Sequence, residues 1–257
     1  MGSTLDAIRR AEKEKFLGPE ELRLFDTEST RRSVRNEIGK AQGNGHGSLP
    51  VRAMEGYNQL RQSIVALLPE GEPRLLLFAS AGEGEGSSGV AANFGMVLAT
   101  SGERLLLVDA NLRSPSLHEF FTLGKNPGLA ELLTGEKTLR QVIKATHLPN
   151  LLLIPAGSLP QNPFPLFANG KVDSLLQQMR AGVDWVILDA PAINIFNDAV
   201  AVGARTDGVV LVVQAEKTRW EVAQSARRRL ESAQANILGV VLNDRKTHIP
   251  EWLYRRL

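Results

Sequence analysis

Six short runs of nearly unbroken Val, Ile and Leu recur between residues 74 and 243, separated by segments with helical periodicity. A strand that is apolar at every position is buried on both faces, because helices cover both sides of a parallel sheet. The alternation therefore predicts an α/β fold, doubly wound, with a mostly parallel sheet and helices on both faces. The predicted strands are Leu75–Phe78, Leu105–Val108, Leu151–Ile154, Trp185–Leu188, Val209–Val213 and Leu238–Leu242.

The first run is followed by a glycine-rich turn and then by a helical stretch, Ser87–Ala99. A strand, a turn and a helix in this order can present backbone N–H groups and a helix N-terminus to a phosphate. Gly82, Gly84 and Gly86 would let the backbone turn tightly and approach such a ligand closely. A turn that binds no ligand can have the same composition, so the glycines alone leave both interpretations open.

A phosphate-binding loop normally ends in Gly-Lys-Ser or Gly-Lys-Thr, where the lysine supplies fixed charge and the hydroxyl binds Mg²⁺. This chain has Gly86-Ser87-Ser88 at that point. Ser88 keeps a magnesium-binding hydroxyl, but Ser87 occupies the lysine position. Glu83 and Glu85 add two carboxylates beside the place expected for phosphates. The loop composition therefore predicts weakened nucleotide binding.

Two of the predicted strands end in aspartate, Asp109 and Asp189. Ligands of open α/β sheets bind at this carboxyl edge, and strand-end aspartates of ATPases hold Mg²⁺ and orient the nucleophile. A single aspartate there is usually a turn or helix cap, but the loop and two aspartates in order are more specific. Asp109 and Asp189 are therefore the candidate catalytic residues, and with Ser88 they are the candidate magnesium ligands.

Composition excludes several other kinds of site. The chain has no cysteine, which excludes disulfides and thiolate metal sites, and its four histidines show no metal-ligand spacing. It contains no run of about 18 apolar residues, and its N-terminus is polar, so it is predicted to have neither a membrane span nor a secretory signal. These features favour a cytoplasmic protein.

The net charge of +2 conceals an uneven distribution. Residues 54–216 carry eleven basic and sixteen acidic side chains, whereas residues 217–257 carry nine basic and four acidic ones. An acidic core is a poor electrostatic host for a polyphosphate. No aromatic residues alternate with the arginines at 227–229, so we expect a solvated helix face there and no nucleic-acid site.

Residues 1–50 are predicted to form a helical leader and a flexible linker, and residues 51–257 a domain built around the glycine-rich loop. Apolar residues line one side of the leader's first helix, and glycines are frequent between residues 42 and 48. Because the leader is too short to bury a core, we expect it to dock on the domain or on a partner.

The motifs taken together resemble one known family, the bacterial tyrosine kinases of capsule and exopolysaccharide assembly, a branch of the Min/Par-type P-loop ATPases. The resemblance covers about residues 53–243. It depends on segments 78–88, 108–118, 127–136, 149–151, 155–157, 186–191 and 206–213, together with Asn162-Pro163 and Asp198.

This chain departs from the family pattern at several positions. The family places Lys at position 87 and Asp at position 111, where this chain has Ser87 and Asn111. Family members that autophosphorylate end in a tyrosine-rich tail, whereas the last six residues here include one tyrosine, Tyr254. The family's Glu-x-x-Arg oligomerisation stretch has a partial counterpart at residues 55–61, which leaves self-association open.

The resemblance and its departures imply a pseudokinase, a non-catalytic cytoplasmic component of exopolysaccharide biosynthesis and export. Its implied partner is an inner-membrane polysaccharide co-polymerase or another export protein, which would hold it at that membrane. No cofactor is expected, although ATP and Mg²⁺ could persist as residual ligands. The vestigial nucleotide site would comprise Gly82, Gly84, Gly86, Ser87, Ser88 and Arg113.

Two alternatives remain open. In the first, the chain is an active tyrosine autokinase or ATPase in which another cation replaces the lysine. Arg113 or a residue of a neighbouring subunit would supply that cation. In the second, the chain is a partitioning-type ATPase that acts on DNA or on a membrane through its basic C-terminal end.

Overall fold

A seven-stranded sheet forms the centre of the computed structural model, which describes residues 51–69 and 71–244. The strands are β1 (Arg74–Ser80), β2 (Leu105–Asp109), β3 (Lys144–Ala145), β4 (Leu151–Ile154), β5 (Trp185–Ala190), β6 (Gly208–Gln214) and β7 (Ile237–Asn243). Their order is β3-β4-β2-β5-β1-β6-β7, and each neighbouring pair is parallel except β3 with β4. Strands thus lie on both sides of β1 in a sheet whose pairs are parallel except for one, which confirms the predicted doubly wound, mostly parallel fold.

Helices cover both faces of the sheet. Within the described residues they are α1 (Val51–Leu67), α2 (Ser87–Thr100), α3 (Leu117–Phe120), α4 (Leu129–Thr134), α5 (Leu139–Val142), α6 (Phe164–Phe167), α7 (Lys171–Met179), α8 (Asp198–Gly203) and α9 (Trp220–Ser232). Apolar side chains of α1, α2 and α3 pack on one face, and those of α4 to α9 pack on the other. Two separate apolar layers result, one on each side of the sheet.

All six predicted strands are present, because an unbroken apolar run matches a strand that is covered on both faces. β2, β4 and β5 are buried at every position. The sequence did not predict β3, a two-residue antiparallel edge strand. Its residues, Lys144 and Ala145, are half-buried and too few to produce a recognisable pattern.

An aromatic cluster fixes α2 against the sheet. The ring of Phe94 lies between Phe78 of β1 and Trp185 of β5, with ring centroids 5.5 Å and 6.0 Å apart. The indole N–H of Trp185 donates to Glu103, which also pairs with Arg61 of α1. Arg61, which ends the counterpart of the family's oligomerisation stretch, therefore has a partner within its own chain.

The predicted leader and linker, residues 1–50, lie outside the described residues, as do Tyr254 and the C-terminal arginines. None of the described helices combines the length and the apolar character needed to cross a lipid bilayer.

Replacing Phe94 by alanine should remove the centre of this cluster. We expect Phe94→Ala to lower the free energy of unfolding by about 3–5 kcal/mol, because a fully buried aromatic side chain leaves a cavity. Phe164→Ala is the matched control, since Phe164 is 37% exposed, and should cost under about 1 kcal/mol. Urea unfolding followed by circular dichroism measures both, and equal losses would contradict the role given to Phe94.

Candidate functional site

The candidate site lies at the carboxyl edge of the sheet, where ligands of open α/β folds bind. β2, β5 and β1 are neighbours in the sheet, so Asp109, Asp189 and the glycine-rich turn after β1 meet there. The turn runs from Ala81 to Gly86 and leads into α2 at Ser87. The structure therefore brings together the residues that the sequence assigned to the phosphate and magnesium sites.

Asp109 and Asp189 stand opposite each other on adjacent strands and are both fully buried. One oxygen of Asp109 accepts the N–H of Leu117 at 3.1 Å, and the other accepts the N–H of Asn111 at 3.3 Å. Neither oxygen of Asp189 accepts a well-formed hydrogen bond from the described residues, although the Ser87 and Ser88 hydroxyls lie close enough to affect its pKa. Two carboxylates are thus buried side by side, and one of them has open acceptor positions.

The surroundings of this pair favour its neutral form. Burial raises the pKa of Asp109 to about 7, against the opposing effect of the N–H groups of Leu117 and Asn111. Burial, and then the nearby Asp109 carboxylate, raise the pKa of Asp189 well above its ordinary value, although the Ser88 and Ser87 hydroxyls lower it. No basic side chain lowers the pKa of either aspartate. At neutral pH the pair therefore favours a bound proton or a bound cation.

The glycine-rich turn keeps a backbone shape that depends on glycine. Gly86, immediately before α2, has φ +86°. A Cβ at that position would lie 2.3 Å from Nδ2 of Asn243, so the Asn243 amide would have to move away. The same Nδ2 donates to the carbonyl oxygen of Glu85 at 2.9 Å. Asn243, the last residue of β7, thus fixes the backbone of the turn through this hydrogen bond.

Glu85 is buried and closes the turn from inside. Its Oε2 accepts the N–H of Gly82 at 2.9 Å, and its Oε1 accepts the hydroxyl of Thr218 at 2.5 Å. Thr218 in turn accepts the N–H of Gln214 at 2.9 Å. The Glu85 carboxylate therefore accepts one of the backbone N–H groups that a phosphate-binding loop would donate to an anion.

Thr218 and Asn243 were not found from the sequence. They lie 133 and 158 positions after Glu85 in the sequence, and each contacts the turn through a single side chain. No local spacing signals such a contact. The Glu85 carboxylate was identified as a charge near the phosphate position, but its hydrogen bond back to Gly82 could not be predicted.

Arg113, the candidate replacement cation, is engaged elsewhere in the chain. Its Nε donates to Asp198 at 2.7 Å, and its guanidinium carbon lies 4.2 Å from the ring centroid of Phe196. The Asp198 side chain is almost fully buried, so this ion pair is well shielded from solvent. Among the described residues, neither Asp109 nor Asp189 forms an ion pair with a basic side chain.

The residues present fit a metal ion better than a polyphosphate. Asp109, Asp189 and the Ser88 hydroxyl are hard oxygen ligands of the kind Mg²⁺ prefers, and the unpartnered oxygens of Asp189 could accept it. A cluster of three or more histidine or acidic residues around a metal position is absent from the described part of the chain. The loop offers no cation, and Glu85 already accepts one of its N–H groups.

Comparison with known proteins identifies the families to which this chain belongs. The model of the family described as Cellulose biosynthesis protein BcsQ matches residues 75–241, so the chain belongs to that family. Tyrosine-protein kinase YwqD of Bacillus subtilis is 33% identical over 192 residues, which cover 75% of this chain and 81% of YwqD. This chain is also a member of the bacterial tyrosine-protein kinase family. The predicted family is confirmed.

The extent of the match differs among the relatives of this kinase-family chain. Tyrosine-protein kinase ptk of Acinetobacter johnsonii is 32% identical over 192 residues, which cover 75% of this chain but only 26% of ptk. The chain therefore corresponds to about a quarter of that longer relative and to most of YwqD.

Solved structures confirm the fold of the kinase-family chain. The kinase domain of the Escherichia coli tyrosine kinase ETK superposes with a TM-score of 0.72 at 27% identity, covering 81% of this chain and 86% of that domain. The septum site-determining protein MinD of Pyrococcus horikoshii, solved with Mg-ADP, has the same fold. Its TM-score is 0.58 at 22% identity, and the match covers 72% of this chain and 76% of MinD.

The buried aspartates should make stability fall as pH rises. Asp109 has an ordinary pKa of 3.8 and a folded-state pKa of about 7, so the folded state binds more protons between these values. The free energy of unfolding contributed by this group therefore decreases from about pH 4 through pH 7. At about 1.4 kcal/mol per pKa unit, ionised Asp109 costs up to about 4 kcal/mol at pH 8.

We expect the stability of Asp109→Asn relative to the parent to rise by about 2–4 kcal/mol between pH 5 and pH 8, because asparagine cannot ionise. Urea unfolding in EDTA at both pH values measures the difference. Asp173→Asn is the control, because the Asp173 side chain is 60% exposed, and should give similar small changes at both pH values. A difference in stability between Asp109→Asn and the parent that is the same at pH 5 and pH 8 would contradict this interpretation.

Proposed function

We propose that this chain is a pseudokinase, a non-catalytic member of the bacterial tyrosine-protein kinase family that acts in polysaccharide biosynthesis and export. One observation carries the proposal. Ser87, at the position where the family has lysine, is buried beside Asp189, and no basic side chain of the described residues pairs with that aspartate. The loop therefore offers no fixed positive charge to a nucleotide.

The magnitude of this loss supports inactivity. Removing one charged partner from a buried ion pair typically costs about 2–5 kcal/mol. At about 1.4 kcal/mol per tenfold change, affinity for ATP falls by roughly 30-fold to several thousand-fold. Catalysis suffers further, because the same lysine would stabilise charge that develops in the transition state. Asn111, where the family has aspartate, removes a second charge from the site.

The role in polysaccharide production is supported by the description of the matching family, which names cellulose biosynthesis. A chain without catalytic activity would act through its contacts. The partner that fits best is the cytoplasmic end of an inner-membrane polysaccharide co-polymerase, which would hold the chain peripherally at the membrane. Self-association through α1 is less favoured, because Arg61 pairs with Glu103 of its own chain.

A second candidate is an active autokinase, which the names of the relatives favour. Such an enzyme would need a cation to enter the site from outside the described residues, because Arg113 is held by Asp198 and Phe196. A neighbouring subunit or residues 1–50 could supply that cation. The two candidates differ in whether the purified chain turns over ATP.

We expect purified protein to hydrolyse ATP no faster than buffer and to gain no phosphotyrosine, because fixed positive charge is missing at the phosphates. A coupled phosphate-release assay and a phosphotyrosine immunoblot check this. Turnover that depends on Mg²⁺ and disappears in Asp109→Ala would overturn the pseudokinase assignment and favour the autokinase.

Restoring the lysine should restore ATP binding. We expect Ser87→Lys to raise ATP affinity at least about 30-fold, because the glycine-rich turn keeps a positive-φ glycine immediately before α2. Hydrolysis should return only partly, since Asn111 stays neutral, and the double variant with Asn111→Asp should exceed either single variant. Calorimetric titration measures the affinity.

Ser101→Lys is the matched control, because it introduces the same side chain at the exposed far end of α2. It should leave ATP affinity unchanged. If the folded double variant, checked by circular dichroism, binds ATP no better than the parent, the turn has lost its phosphate-binding shape. The site would then be a surface for protein contacts, with Glu83 and Glu85 as the first residues to examine.

A further inference from the structure

A groove of about 450 Å³ lies between α8 and α9, on the face of the sheet opposite α2. It is an open depression on the protein surface. Its lining combines basic, hydroxyl and amide side chains with small apolar ones: Asn197, Val200, Ser225, Arg228, Arg229, Ser232 and Ala233. The groove is separate from the glycine-rich turn and shares no residue with it.

The spacing of these residues makes the groove a continuous stripe along α9. Ser225, Arg228 and Ser232 recur at three- and four-residue intervals, so they lie on one side of the helix over two turns. From Ser225 to Ala233 the stripe is about 12 Å long, at 1.5 Å per residue. That length matches about three or four residues of an extended peptide.

The groove carries positive charge that the described residues do not neutralise. The Arg228 side chain is exposed, and its guanidinium forms no hydrogen bond or ion pair with any residue in the ranges 51–69 and 71–244, although its carbonyl oxygen accepts the Ser232 hydroxyl. Arg229 donates to the Asn197 side chain and has no carboxylate partner in the same ranges. No acidic residue lines the groove. By contrast, the neighbouring Arg227 pairs with Glu231 outside it.

We propose that the α8–α9 groove binds an acidic segment of a partner protein. Guanidinium groups match carboxylates in a planar, two-bond geometry, and the Ser225 hydroxyl and the N–H groups of the Asn197 amide can bond to a peptide backbone. Val200 and Ala233 offer a small apolar floor. This assignment is independent of whether the chain binds ATP.

Other anionic ligands fit the groove less well. Nucleic acid binding depends on many phosphate contacts, whereas this groove has two arginines. Bases would also need aromatic side chains to stack on, and the groove lining has none. A lipid surface would need a protruding face, and the site is concave.

A fluorescein-labelled peptide of eight glutamates tests the proposal by fluorescence anisotropy with the full-length chain at about 50 mM salt, where screening is moderate. We expect saturable binding with one peptide per chain. Arg228→Glu should weaken this binding at least about tenfold, because a like charge replaces an attractive one. Arg227→Glu makes the same change in net charge one residue away, outside the groove, and should weaken it no more than about twofold.

Equal losses in Arg228→Glu and Arg227→Glu, or an absence of peptide binding, would overturn the proposal. Full displacement of the peptide by millimolar inorganic phosphate would also overturn it, since the site would then hold a small anion. Cosedimentation with phosphatidylglycerol vesicles that depends on Arg228, without peptide binding, would assign the groove to a membrane instead.

Discussion

Two carboxylates lie buried side by side, and no basic side chain of residues 51–69 or 71–244 pairs with either, and the chemistry of this site depends on that constraint. Asp109 and Asp189 are brought together because β2 and β5 are neighbours in the sheet. A buried charge without a partner is costly, so the pair requires a proton, a metal ion or a basic side chain. Position 87, beside Asp189, holds the neutral Ser87.

Packing contacts and hydrogen bonds hold the frame around the site in place. Phe94 fixes α2 between β1 and β5, and Asn243 and Thr218 hold the glycine-rich turn at its two sides. The carboxylate of Glu85 accepts an N–H inside the turn, as an external anion would. Such an arrangement keeps the shape of a phosphate-binding loop without requiring a nucleotide. This arrangement is compatible with the non-catalytic role that we propose.

The sequence predicted those parts of the structure that a local pattern encodes. Strands covered on both faces are unbroken apolar runs, so six of the seven were found, and aspartates at strand ends pointed to the carboxyl edge. Contacts between distant segments were not predictable. The hydrogen bond from Thr218 to Glu85 joins residues 133 positions apart, and the Arg113–Asp198 pair joins residues 85 apart. The order of the strands, which sets Asp109 against Asp189, is likewise a property of the whole sheet.

The most direct test of this account is a calorimetric titration of Mg-ATP into the unmodified protein at pH 8. We expect no saturable heat up to about 1 mM ATP, because the loop lacks fixed positive charge and the Glu85 carboxylate already accepts the N–H of Gly82. Saturable binding in the micromolar range that is abolished by Asp189→Ala would contradict it. The site would then be a working nucleotide pocket whose cation comes from outside the described residues.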